Sequence, residues 1–430
     1  MKFGILYNRN NMNIGDDIQA YATARFLPQI DYFIDRETID SFTSSGGEPV
    51  AVIMNAWYMW RKWNWPPSKY IYPLMVGFHY ADHQLANQWY GSPIKYQFLE
   101  GIGGDYLNAY GPVGCRDMFT LHHLQELGIN AYFSGCITLT LPQMPEKPDK
   151  GQYICVVDTV KKVREKLHKE LDGKIEVRDI SQLRKRDEAL SWEERKEMVK
   201  ELLTTYQNAR CVVTRRLHCA LPCLAMGVPV LLVRGDEDDT RFEPYYDLLH
   251  RATVDDFLSG NCDYDYLTPP ENKSDYKQYR ESLIKAAEAF VAQAKNESRS
   301  ADELKKTAFT EQELKDWRHD VMKSALEIWL NDDHRKHEKE VTTKKEHAAQ
   351  VKELNTKAKS LEKKAKNWEK KAKTWEEKTK ELEQENKNLS QKLKDTKTKL
   401  ETLENERLIK TVYRKTGKVL SKVKRKLKKQ

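Results

Sequence analysis

The residues best equipped for chemistry stand together at Arg215-Arg216-Leu217-His218. Two guanidiniums and an imidazole within four positions can hold a phosphate or carboxylate and move a proton beside it. The flanking run shows what must position them. Cys211 to Thr214 and Val230 to Val233 read as buried strands, with a short helix between them. Pro222 is expected in the first turn of that helix, Gly227 at its C-terminal stop and Pro229 just beyond. This is a βαβ unit with parallel strands, so the charged corner lies at a strand's carboxyl end and a helix N-terminus. Free N–H groups and the helix dipole favour anions there.

Other polar residues fall at equivalent places. A strand at Lys2 to Tyr7 runs into a loop holding Asn13, Gly15 and Asp16, with Asp16 or Asp17 expected to cap the helix that follows. Val50 to Ala56 reads as a strand that runs out through Asn55 into Trp57, Trp60, Trp63 and Trp65. Indole faces suit sugar rings, although such a cluster can equally pack over a domain surface. Leu74 to Phe78 reads as the next strand, running into His79. His79 and His83 have helical metal-pair spacing, but no third ligand accompanies them, and no metal is expected. Leu99 to Gly104 reads as a loop, and Arg116-Asp117 as a structural ion pair where a helix begins.

The Pro-rich stretch Pro142 to Pro148 separates this series from a second one. The second comprises a strand at Tyr153 to Asp158, a helix at Val160 to Leu171 and a strand at Ile175 to Arg178. A helix opened by a Ser191/Glu194 capping box follows, and then the βαβ unit. The expected organisation is α/β, with two Rossmann-like domains (residues 1–145 and 146–300) around one cleft. The N-terminal loops and the 215–218 corner can both face that cleft.

At 430 residues the chain carries a net charge of +8, but ten basic residues and no acidic one lie between Lys410 and Gln430, which leaves the rest at −2. The basic character belongs to the tail, and nothing marks the α/β part as a nucleic-acid binder. The seven cysteines are odd in number, lack CxxC pairs and often sit in apolar runs, as expected of free thiols in a cytoplasmic protein. The first apolar run is too short for a signal peptide and none is long enough to span a bilayer.

Four segments together resemble the polysaccharide pyruvyl transferase family: Asn13-Ile-Gly-Asp16, Gly111-Pro-Val-Gly-Cys-Arg116-Asp117, Ser134-Gly-Cys-Ile-Thr-Leu-Thr-Leu141, and Val213-Thr-Arg-Arg216-Leu-His218-Cys-Ala220 with Ala225-Met-Gly-Val-Pro-Val230. The resemblance covers roughly residues 1 to 295. It implies a GT-B-like fold and a transferase that moves pyruvate from phosphoenolpyruvate (PEP) onto two sugar hydroxyls as a cyclic ketal, in cell-surface glycan biosynthesis. It also implies PEP contacts from Arg216, His218 and Arg116. On this reading His218 is the catalytic acid/base. Arg215, Asn13, Gly15, Asp16, Asn55, Trp57 and His79 complete the substrate site, and PEP is a donor substrate, with no cofactor expected. Two other readings compete: a GT-B nucleotide-sugar glycosyltransferase, and an inactive interaction protein.

Beyond a helical connector (301–345), residues 346–408 follow a heptad pattern expected of a coiled coil, a long solvated single helix supported by i, i+4 charge pairs being the other reading. Leu354, Leu361, Trp368, Trp375, Leu382 and Leu389 fall at d, with Val351, Ala358, Ala365, Ala372 and Asn386 at a. Lysines at g (357, 364, 371, 378) precede glutamates at e (362, 369, 376, 383), the arrangement of a parallel homodimer. Residues 409–430 read as a basic amphipathic helix suited to an anionic membrane surface, which would hold the enzyme at the inner face near a lipid-linked acceptor.

Overall fold

In the computed structural model, residues 1–8, 12–59, 64–80, 98–183, 190–235, 241–397 and Gly417 are described. The chain forms two compact units, Met1–His334 and Arg335–Gln430.

The first unit is mixed α/β with parallel sheets. One sheet has the order β2-β1-β3-β5, from β1 (Lys2–Tyr7), β2 (Tyr32–Asp35), β3 (Val50–Ile53) and β5 (Ile71–Leu74). Two short parallel pairs join β4 (Trp57–Tyr58) to β6 (His79–Tyr80), and β7 (Val113–Cys115) to β8 (Ala131–Phe133). The second sheet has the order β10-β9-β11-β12-β13, from β9 (Tyr153–Val157), β10 (Glu176–Ile180), β11 (Val212–Thr214), β12 (Val230–Arg234) and β13 (His250–Thr253). Strands covered on both faces must be apolar throughout, which is why Val50–Ile53 and Tyr153–Val157 are unbroken hydrophobic runs, every residue buried.

The two sheets share one apolar core, with Phe3, Ile5 and Ile53 from the first and Tyr153, Cys155, Val212 and Val230 from the second. Helix α1 (Ile14–Ala24) joins them. It packs on β1 and on two helices of the second series, α5 (Trp192–Asn208) and α6 (Leu217–Met226). Burying Ile18 fully in this joint contributes about 1.5–3 kcal/mol. More importantly, α1 brings its N-terminus to the N-terminus of α6.

Three local expectations need correction. Asn13 caps α1, its Oδ1 accepting from Gly15 N at 3.0 Å, while Asp16 and Asp17 fall in the first turn. The strand expected at Leu74 to Phe78 is Ile71–Leu74, because Gly77 turns the backbone through φ +61°. The glycine-rich run at 99–104 opens helix α2 (Gly101–Tyr110), where Gly103 sits hard against Phe98 and Trp65 and leaves no room for a Cβ. Helix α3 (Met118–Glu126) starts at its Asp117 cap. The expected helix at 160–171 and the Ser191/Glu194 capping box are present, as α4 (Lys161–Leu171) and at the head of α5.

After the short α7 (Val254–Ser259), the 20-residue α8 (Lys277–Asn296) and the short α9 (Ala301–Leu304), the 87-residue α10 (Glu311–Lys397) takes in most of the expected connector and the expected heptad region as far as Lys397, and residues 398–408 lie outside the described residues. Near its start Arg318 donates to the carbonyls of Trp65 and Pro66. In the second unit Leu354, Leu361 and Trp368 are 63, 60 and 65% exposed. The basic tail lies outside the described residues apart from Gly417. Among the described residues no helix is long and apolar enough to cross a membrane.

Candidate active site

The corner expected at 215–218 takes its shape from a misplaced proline. Pro222 lies in the middle of α6, not in its first turn. Having no N–H, it leaves the carbonyl four residues back, that of His218, without a helical partner, and its ring crowds that carbonyl. The backbone responds with a kink at His218 (ψ 17°), and Gln182 Nε2 donates to the freed carbonyl at 3.1 Å. Before the kink, Thr214 Oγ1 accepts from Arg216 N at 3.0 Å. Arg216 Nε donates to Asp158 Oδ2 at 3.0 Å, and the same oxygen accepts from Gln182 N at 2.9 Å. Arg215 is exposed, its carbonyl held by Arg234.

The first half closes over the His218 ring. A Cβ on Gly15 would lie 2.9 Å from His218 Nδ1 and 3.0 Å from its Cβ, so only glycine lets α1 approach this closely. Nε2 lies 3.9 Å from Cys136 Sγ, at the head of the turn Ile137–Thr140. The imidazole is walled in yet still partly reached by solvent. Its pKa is pushed down to about 3, mainly by loss of hydration and then by the charge of Arg116, with Arg241 and His79 adding to it and Asp16 opposing. His218 is therefore neutral at pH 7 in the free protein.

Arg116 is almost fully buried. Its guanidinium donates to the neutral amide of Gln19 (Oε1, 2.6 Å), and among the described residues it forms no ion pair. Gln19 Oε1 also accepts from Asn55 Nδ2 at 3.2 Å, and Asn55 Oδ1 accepts from Ile137 N at 3.0 Å. A buried cation held only by a neutral amide is costly unless an anion completes it. The neighbouring Asp117 does not pair with Arg116, as the adjacent sequence suggested. It pairs instead with His79 Nδ1 at 2.5 Å, and both side chains are wholly buried. Trp57 packs edge-on to the His79 ring, centroids 5.0 Å apart, with the Arg241 guanidinium 5.3 Å from the indole.

The structure thus gathers Gly15, Asn55, Trp57, His79, Arg116 and His218. Asn13 serves as a cap, and Asp16 is ion-paired to the buried Arg36 at 3.1 Å. Arg216 and Arg215 flank the group on the second sheet. Trp65 is a core residue, packed edge-on to Tyr58, Phe78 and Tyr106, and belongs to no sugar platform; Trp60, Trp63 and His83 lie outside the described residues. Sequence reasoning missed Gln19, Asp158, Gln182 and Arg241, which lie far along the chain from the motifs they support. Among the described residues no cluster of three His, Cys, Asp or Glu is arranged for a metal.

A parallel α/β unit with arginines and histidines converging at strand ends and helix N-termini is suited to holding an anion. The family model for polysaccharide pyruvyl transferase matches residues 13–237, more than half of the chain, and the protein belongs to that family. No curated protein matches it. Among solved structures, a functionally uncharacterised protein from Klebsiella pneumoniae is 15% identical, with 59% of this chain and 92% of that one covered at a TM-score of 0.33. MnaA of S. aureus, solved with UDP, is 9% identical over 70% of this chain and 100% of that one, at a TM-score of 0.39. E. coli heptosyltransferase WaaC, solved with ADP-2-deoxy-2-fluoro heptose, is 13% identical over 59% and 93%, at a TM-score of 0.27.

Proposed function

We propose that the protein transfers pyruvate from PEP onto two hydroxyls of a sugar, forming a cyclic ketal and releasing phosphate. The observation that carries this reading is Arg116: a buried guanidinium, without a carboxylate partner among the described residues, beside a neutral histidine. PEP brings both a phosphate and a carboxylate to such a place. Arg116 and Arg216 hold these groups on this reading, with Arg215 at the exposed rim. The arriving negative charge raises the proton affinity of His218, which takes up a proton with the donor and passes it to C3 of the enol. The oxygen of one sugar hydroxyl attacks C2, and the C2–O bond to phosphate breaks with its electron pair leaving on phosphate. A second hydroxyl closes the ring. Of the two hydroxyl protons, one replaces that given to C3 and the other leaves with phosphate.

The decisive assay is phosphate release from PEP with a panel of glycan and lipid-linked sugar acceptors, repeated with nucleotide sugars in place of PEP. Release that needs both PEP and a diol acceptor supports the reading. Turnover of nucleotide sugars alone would replace it with glycosyl transfer.

The chain also works, on this proposal, as a parallel homodimer. The apolar stripe at Leu354, Leu361 and Trp368 is exposed on the single chain. Parallel pairing sets each g lysine against an e glutamate of the second copy, whereas antiparallel pairing would set lysine against lysine. The basic tail then presents a paired anchor to anionic lipid, near a lipid-linked acceptor, and deleting residues 410–430 should abolish binding to phosphatidylserine vesicles.

A further inference from the structure

His218 accounts for one of the two proton journeys in this reaction; the first acceptor hydroxyl must still lose its proton as its oxygen bonds to C2. His79 has the geometry for that task. Its ring is wholly buried, Nδ1 faces Asp117 Oδ2 at 2.5 Å, and Nε2 is buried with no hydrogen-bond partner among the described residues. Asp117 is itself fixed. As the cap of α3 it accepts from Thr120 N at 2.8 Å and from Thr120 Oγ1 at 2.9 Å. A carboxylate so engaged accepts Nδ1–H from the ring, which leaves the lone pair on Nε2. Burial alone would raise the Asp117 carboxyl, but the His79 ring and the Thr120 bonds outweigh it and hold it below the usual range. His79 is likewise lowered, by burial first, against the pull of Asp117, so its resting state is neutral.

An orphaned ring nitrogen in a closed site is unfavourable, a penalty that a bound hydroxyl removes. The bond from Nδ1 to Asp117 accounts for one ring nitrogen and leaves Nε2 for another partner. We propose that His79, oriented by Asp117, is the general base for the acceptor: the sugar O–H breaks, its proton goes to Nε2, and the freed electron pair forms the O–C2 bond. Asp117 stabilises the imidazolium that results, and the proton passes on to the departing phosphate. This inference rests on the pyruvyl-transfer reading and divides its chemistry between two histidines, with the donor side at His218 and the acceptor side at His79.

The test compares wild type with His79→Gln, His79→Ala and Asp117→Asn. We expect His79→Gln to bind PEP within threefold of wild type by calorimetry, and to lose transfer by about 10²–10⁴-fold. Added imidazole should restore transfer by His79→Ala at least tenfold, which relief of a purely structural defect would not do. Transfer by His79→Gln within threefold of wild type overturns the proposal. So does a nitrogen-detected NMR spectrum of the wild type, needing no variant to fold, in which His79 carries its proton on Nε2. If wild type itself releases no phosphate from PEP with any diol, the reaction assignment fails and the base falls with it. The two failures are distinct, because only the former leaves wild-type transfer intact.

Discussion

Gly15→Ala tests whether the approach of α1 to His218 matters to function more than to folding. The new methyl would stand 2.9 Å from His218 Nδ1, 3.0 Å from its Cβ and 3.1 Å from Asn13 Oδ1. Unstrained contacts begin near 3.5 Å, so the imidazole or the head of α1 must retreat by roughly 0.5 Å. Neither is a floppy end: the ring is anchored through the kinked carbonyl held by Gln182, and α1 through its Asn13 cap. Overpacking of this kind costs about 1–3 kcal/mol, offset by up to about 1 kcal/mol from the better helix propensity of alanine. The net change of about 0–3 kcal/mol should lower Tm by only a few degrees in a unit of this size. A displacement approaching 1 Å at a catalytic group can cost about 10²-fold in rate. The variant should therefore melt within about 5 °C of wild type by circular dichroism yet release phosphate from PEP and acceptor about 10- to 100-fold more slowly. A variant of unchanged Tm that transfers within twofold of wild type would refute the reasoning.

Further outcomes follow from named contacts. Asp17 and Arg195 form a pair at 3.2 Å between α1 and α5, 5 and 3% exposed, so Arg195→Met removes the cation paired with a buried carboxylate. It should destabilise the fold by about 3–5 kcal/mol, read by urea titration. The depressed pKa of His218, about 3 against about 6.5 in an unfolded chain, means that the unfolded state binds its proton first. The associated stability is present above about pH 6.5 and lost as pH falls toward 3, so His218→Gln should flatten the stability–pH curve in that window. Replacing Leu361 and Trp368 by lysine should convert a two-chain particle to one chain in light scattering while leaving the Tm of the α/β unit in place. A wild type of one chain per particle at micromolar concentration counts against the parallel pairing.

Several features were readable in residue order because they depend on local chemistry. The apolar runs at Val50–Ile53, Tyr153–Val157 and Val230–Arg234 alternate with helical patterns, and a parallel α/β arrangement follows. The Ser191/Glu194 capping box and the Gly227 stop (φ +75°) are determined within a few residues. The position of Arg215–His218 at a strand end is equally local. Tertiary structure decided which partners these residues meet. Asp117 stands beside Arg116 in sequence, but the two side chains leave the backbone on opposite courses, one to His79 and the other to Gln19. Gln182 is far from the corner along the chain, yet it holds the carbonyl that Pro222 frees, and Gly15 is fixed as glycine by a histidine some two hundred positions away. Short-range sterics and hydrogen bonding choose helix, strand and cap. The pairing of charges and the closeness of two rings depend on how α1 docks between two sheets, and only the packed core sets that.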